Sequence, residues 1–112
     1  MTSEHLFKVS SEARGGGVLV VAGGEIDLAT SPRLREALID PAARAATVVL
    51  DLRAVTFIDS SGLGVIVGQQ KRARESGERF AVAIAGGSPV ERILEVTGLA
   101  GILDVIADPA ER

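Results

Sequence analysis

No cysteine occurs anywhere in the 112 residues, and the single histidine, His5, stands close to the N-terminus. Disulfide scaffolds, thiol catalysis and Cys/His zinc sites are therefore excluded. Aromatic residues amount to 3%, all of them Phe, so stacking platforms for bases or sugars are absent. Cations are in the minority: 12 Lys and Arg against 15 Asp and Glu leave a formal charge of −3, which provides no basic footprint for nucleic acid or anionic lipid. Nowhere is there an apolar run of the roughly 18 residues that a membrane helix needs. The opening MTSEHLFKVSSEARGGG carries no long apolar stretch behind a positive start, unlike a secretory leader. The expected compartment is the cytoplasm, with neither membrane nor nucleic acid as a partner.

What is present has the balance of a folded soluble domain, 46% hydrophobic and 24% charged. Residues 1–112 read as one domain, since this length leaves room for a single core. Leu6 to Ser10 and Val18 to Ala22 read as strands joined by a turn at Arg14-Gly15-Gly16-Gly17, most simply an antiparallel hairpin with a mobile tip. A polar break from Gly23 to Asp27 follows. Ser31 then reads as a helix N-cap with Pro32 at the first helical position, and Leu34, Ala37 and Leu38 share the inner face. The β-branched run Thr47 to Leu52 has the pattern of a strand covered on both faces, and Arg53 to Ile58 extends beyond it.

Ser60 to Arg74 reads as a helix whose last turns carry Lys71, Arg72 and Arg74, where cations oppose the macrodipole, with Gly77 beyond its end. Phe80 to Ala85 repeats the buried-strand pattern. Ser88-Pro89 opens another helix with Val90, Ile93, Leu94 and Thr97 inward and Gly98 closing it, and Ile102 to Ala107 reads as an edge strand. Strands separated by single helices require crossovers. The expected fold is thus α/β: a mixed, mostly parallel sheet of about five strands with helices packed against it.

The chemically suggestive segment is Asp51 to Gly68, DLRAVTFIDSSGLGVIVG. It puts Asp59-Ser60-Ser61-Gly62 at the start of a helix, where backbone N–H groups lack partners and favour negative charge. A serine there is ordinarily a cap, but Asp59 competes for that task. Gly62, Gly64 and Gly68 each cost about 1 kcal/mol against Ala in a helix interior. They imply either close approach of helix to sheet, with Gly64 and Gly68 on one face, or access for a partner at Gly62. Phosphate-cradle motifs fail. The third glycine after Gly62-Leu63-Gly64 comes one residue late for a dinucleotide loop, and Gly68 is followed by Gln69 rather than Lys. Serine catalysis would need His5, in the expected first strand, or Lys8 or Lys71, and no spacing favours any of them. Glu25, Asp27 and Asp59 could gather at one end of the sheet, but without histidine they form a weak metal set. Neither catalysis nor a cofactor is expected.

The string DLRAVTFIDSSGLGVIVGQQKRA resembles the signature of STAS domains, in particular the bacterial anti-sigma factor antagonists. GGEIDLATSPRLREAL resembles the turn leading into that family's first helix, and SPVERILEVTGLAGILDV extends the likeness, which covers residues 4–107 or so. The resemblance implies that Ser60 is a phosphoacceptor and that Asp59 shapes its site. It implies a docking face of Gly24, Glu25, Asp27, Ser61, Gly62 and Leu63 beside them. Its implied partners are a GHKL-type anti-sigma factor, which is also the serine kinase, and a phosphatase. The unphosphorylated form binds the anti-sigma factor and frees a sigma factor; phosphate ends the association. This chain is then a substrate rather than an enzyme, a monomer or a weak dimer. Within the same family, a stressosome-type scaffold module is the alternative; outside it, a nucleotide or small-ligand sensor is. The family commonly adds a further C-terminal helix, whereas Asp108-Pro109-Ala110-Glu111 has the length of one turn, which leaves a core face or dimer surface open.

Overall fold

Seven antiparallel pairs, from Lys8 opposite Gly23 to Arg14 opposite Gly17, join β1 (Lys8–Arg14) to β2 (Gly17–Ile26) in the computed structural model, which describes residues 6–42 and 45–111. The expected loose tip is closed tightly: Gly15 and Gly16 alone turn the chain, at φ of 53° and 84°, the positive values that a two-residue hairpin with right-twisted strands requires. β1 starts two residues later and ends four later than the residues suggested. It is an exposed edge strand, so its Ser-Ser-Glu stretch shows no apolar alternation to read.

From β2 the chain alternates through α1 (Ser31–Ala42), β3 (Thr47–Ile58), α2 (Ser60–Ser76), β4 (Arg79–Ala83), α3 (Pro89–Val96) and β5 (Asp104–Ile106). Short 3-10 turns at Leu99–Gly101 and Pro109–Glu111 flank β5. The sheet order is β1-β2-β3-β4-β5, parallel from β2 onward. The mixed, mostly parallel five-stranded sheet is therefore as expected. Two boundaries differ for one reason. The polar break is strand from Gly23 to Ile26, with only Asp27 beyond it, and the tail Arg53–Ile58 is strand throughout, because β2 and β3 continue to pair past two register shifts until Ile26 meets Ile58. A bulged pair lets the buried period skip, and skipped periodicity is what made these stretches look irregular.

Successive strand residues face opposite ways, and two cores result. The larger packs Val20, Ala22, Val48, Leu50, Phe80 and Val82 under all three α-helices, through Leu34 and Leu38 of α1, Ile66 and Ala73 of α2, and Val90 and Leu94 of α3. The smaller holds Leu19, Val49, Ala81, Ala83 and Ile106 on the other face, where the Pro109–Glu111 turn packs against β3. The helices accordingly share one side of the sheet. On the other side the buried Asp51 carboxylate receives the Arg53 backbone N–H and Nε at 3.0 Å and Nη2 at 3.1 Å. The hydrogen bonds and charge of Asp51 raise the guanidinium above its ordinary pKa, with a smaller contribution from Asp108.

Helix ends follow local chemistry, with two corrections. α1 begins at Ser31, so Thr30 holds the cap position and accepts from the N–H groups of Arg33 and Leu34; Pro32 is the second helical residue. Thr97, expected inward, is exposed and returns its hydroxyl to the Ile93 carbonyl at 2.7 Å. Ser88 caps α3 by accepting from Glu91 N–H, and Gly77 closes α2 in the left-handed conformation.

Candidate functional site

Parallel strands that end in register deliver the residues after them to one rim of the sheet. Ile26 and Ile58 are paired, and the Asp59 N–H donates to the Ile26 carbonyl at 3.1 Å. Asp27 and Asp59 consequently leave neighbouring strands side by side, at the carboxyl edge where open α/β sheets place their sites. The helix dipoles of α1 and α2 begin at this same rim.

Asp59 caps α2. Its backbone is extended (φ −112°, ψ −171°) and its Oδ1 accepts from Ser61 N–H at 2.9 Å and Gly62 N–H at 3.4 Å. The excess of capping groups is thereby resolved: the carboxylate takes the task, and neither serine needs to. Ser60 becomes the first residue of the helix, exposed to solvent, with no described hydrogen bond to its hydroxyl. Ser61 is half-buried one step further along. A hydroxyl held at a helix start, accessible and without a structural duty, is available to an enzyme acting from solvent.

The residues expected beside Ser60 separate into two kinds. Asp27 is at the rim, but its Oδ1 braces the turn into α1, accepting from Ala29 N–H at 3.0 Å, Thr30 N–H at 3.1 Å and the Thr30 hydroxyl at 3.2 Å. Glu25, half-buried near the end of β2, is paired with Phe57. Leu63 is half-buried and packs against the larger core. Gly24 is a strand residue rather than a loop residue, with φ of +87°; a side chain there would collide with the Leu6 carbonyl, so the backbone crossing over it accounts for the glycine. Gly62 is buried, and an added Cβ would lie 2.5 Å from Ile26 Cγ2 and 2.8 Å from Ile58 Cγ1. It lies beneath α2 and lets the helix start settle on the sheet. The close approach expected of Gly64 and Gly68 is corrected by the same geometry: both are exposed, with nothing within 4 Å of an added Cβ.

Two rim residues went unnoticed in the sequence. Leu28 is 78% exposed in the turn after Asp27, and Phe57, beside Glu25 on β3, is 48% exposed. Large apolar groups displayed at a rim are surface that a partner can cover. A leucine between an aspartate and the helix start was the available signal. The carboxylates of the rim do not converge on a cation: among the described residues no three His, Asp or Glu side chains come together to hold a metal ion. His5, one of the three candidate bases, lies outside the described residues. No described helix is long and apolar enough to cross a membrane.

Comparison with known proteins adds the family context of this rim. The family model described as the STAS domain matches residues 8–111. The anti-sigma-B factor antagonist of Bacillus subtilis is 34% identical over 90 residues, which span 80% of this chain and 82% of that protein. The anti-sigma F factor antagonist of Paenibacillus polymyxa is 34% identical over 101 residues, spanning 88% and 86%. Among solved structures, an anti-sigma factor antagonist from Mycobacterium paratuberculosis is similar at a TM-score of 0.85 and 25% identity, over 99% of this chain and 94% of that one.

Proposed function

We propose, from the premise that this chain belongs to the STAS domain family, that it is an anti-sigma factor antagonist whose partner binding is switched by phosphate on Ser60. The observation that carries the reading is the exposed Ser60 hydroxyl at the first position of α2, left unused because Asp59 caps the helix. Without phosphate, the rim around Ser60 docks on an anti-sigma factor of the GHKL kinase type, and the sigma factor held by that protein is released. Leu28 and Phe57 supply apolar contact area, and the Ser60 hydroxyl faces the partner's nucleotide. The kinase brings ATP and magnesium, so this chain needs no cofactor and acts as substrate. A phosphatase restores the binding form.

Charge explains how so small a change suffices. Phosphate adds about −1.5 to −2 charges at neutral pH next to the Asp59 carboxylate. An unpaired charge buried at an interface costs roughly 2–5 kcal/mol, or about 30- to 5,000-fold in affinity. Partner release then needs no rearrangement of the fold. The test is to mix the protein with its GHKL kinase and Mg-ATP and to locate the phosphate by mass spectrometry. Transfer to Ser60, abolished in Ser60→Ala while binding is retained, is the expected result. Phosphate on Ser61 or Thr56 instead would overturn the assignment, as would undiminished binding by Ser60→Asp.

A further inference from the structure

A second surface runs between α1 and α2, away from the sheet. It is an open groove of about 540 Å³ that starts at Ser31 and Ser61 and ends at Ile39 and Arg72. The eleven steps along α2 from Ser61 to Arg72, at 1.5 Å each, make it about 16 Å long, or three helical turns. Both of its helix-interior glycines are unexplained by the chain's own packing, since Cβ atoms at Gly64 and Gly68 would meet nothing within 4 Å. They stand four residues apart on one helix face and lower the wall where another backbone can come close. The floor holds Gln69, 6% exposed. Among the described residues the charged ones lining the groove are Arg35 and Arg72, and no carboxylate does.

The geometry points to this groove as the docking site for an acidic amphipathic helix of a partner protein. Such a helix lays its apolar stripe over Ile39 and Val65 and brings its backbone down onto Gly64 and Gly68. Its carboxylates pair with Arg35 and Arg72, and a polar group on its inner face meets Gln69. A half-open trough of three turns suits an elongated occupant better than a small molecule, which sites of this volume ordinarily enclose. The groove begins at Ser61 and leaves out Ser60, so the inference stands independently of the serine switch.

The test titrates the isotope-labelled full chain with a helix-stapled peptide of about three turns, leucines along one face and glutamates flanking them. Amide shifts confined to Ser31–Ile39 and Ser61–Arg72 are expected, with binding at least about tenfold weaker for the same peptide carrying lysines. Gly64→Leu, which fills open space, is expected to abolish the shifts. The Arg35→Glu, Arg72→Glu double variant is expected to exchange preference and take the lysine peptide, a gain that a misfolded protein cannot show. Equal binding of both peptides, or shifts that persist in Gly64→Leu, would overturn the proposal. So would saturation of the same amides by decanoate, which would make the groove a small-carboxylate site, or self-association lost in Gly64→Leu, which would assign it to a second copy.

Discussion

Asp59 divides its influence between the helix and the serine beside it. Its carboxylate satisfies two amides at the start of α2, a capping role typically worth about 1 kcal/mol. Asn caps equally well but is neutral. Asp59→Asn is therefore expected to leave the melting temperature within about 1 °C and to weaken the discrimination between phosphorylated and unphosphorylated protein, because a like charge beside the phosphate is gone. Asp59→Ala is expected to lower stability by about 1 kcal/mol, or roughly 4 °C. Thermal melts of the two variants, set beside partner affinity with and without phosphate, separate the two roles. On the far face, Arg53 holds a buried carboxylate. Arg53→Met is expected to destabilise the protein by leaving Asp51 unpaired, and Asp51→Leu in the same chain to recover part of the loss. Because the guanidinium pKa is raised, its stabilisation persists through neutral pH and is lost only in strong alkali.

At the scale of the element, α2 carries glycines of opposite meaning. Gly64→Ala and Gly68→Ala add methyl groups to open space and should each stabilise by about 1 kcal/mol through helix propensity alone, adding in the double variant to about 2 kcal/mol. Gly62→Ala gains the same propensity but drives a methyl against Ile26 and Ile58, and overpacking of roughly 1–3 kcal/mol should make the net effect destabilising. Denaturant melts of the three single variants give the signs directly. Equal gains at all three positions would refute the packing assigned to Gly62. The sequence showed three helix-weakening glycines and a four-residue spacing, but not which of them meets the sheet. That depends on the rotation of α2 about its axis, which Ile26 and Ile58 from two different strands set.

For the whole molecule, protection should follow the sheet from its centre outward. β3 is flanked on both sides and buried on both faces from Val48 to Leu52, whereas β1 is exposed along an edge and β5 has three residues. Native-state hydrogen exchange is expected to be slowest at Val48–Leu52 and Ala81–Ala83 and fastest in β1. If Ser60 phosphorylation acts through surface charge alone, this order is unchanged by it. Comparable protection in β1 and β3 would count against the edge assignment.

Residue types and spacings alone determined the alternation of strands and helices, the crossover-rich mixed sheet, the inward Leu34, Leu38, Val90 and Leu94, and the segment carrying Ser60. These are local or periodic properties, written in neighbours along the chain. The tertiary structure alone decided that Asp59 rather than a serine caps α2, that Gly24 and Gly62 answer to packing, that Leu28 and Phe57 share the rim, and that a groove opens between α1 and α2. Each of those depends on the register shifts joining β2 to β3 or on how a helix is turned over the sheet. Such quantities arise between segments distant in sequence, and no residue pattern within either segment contains them.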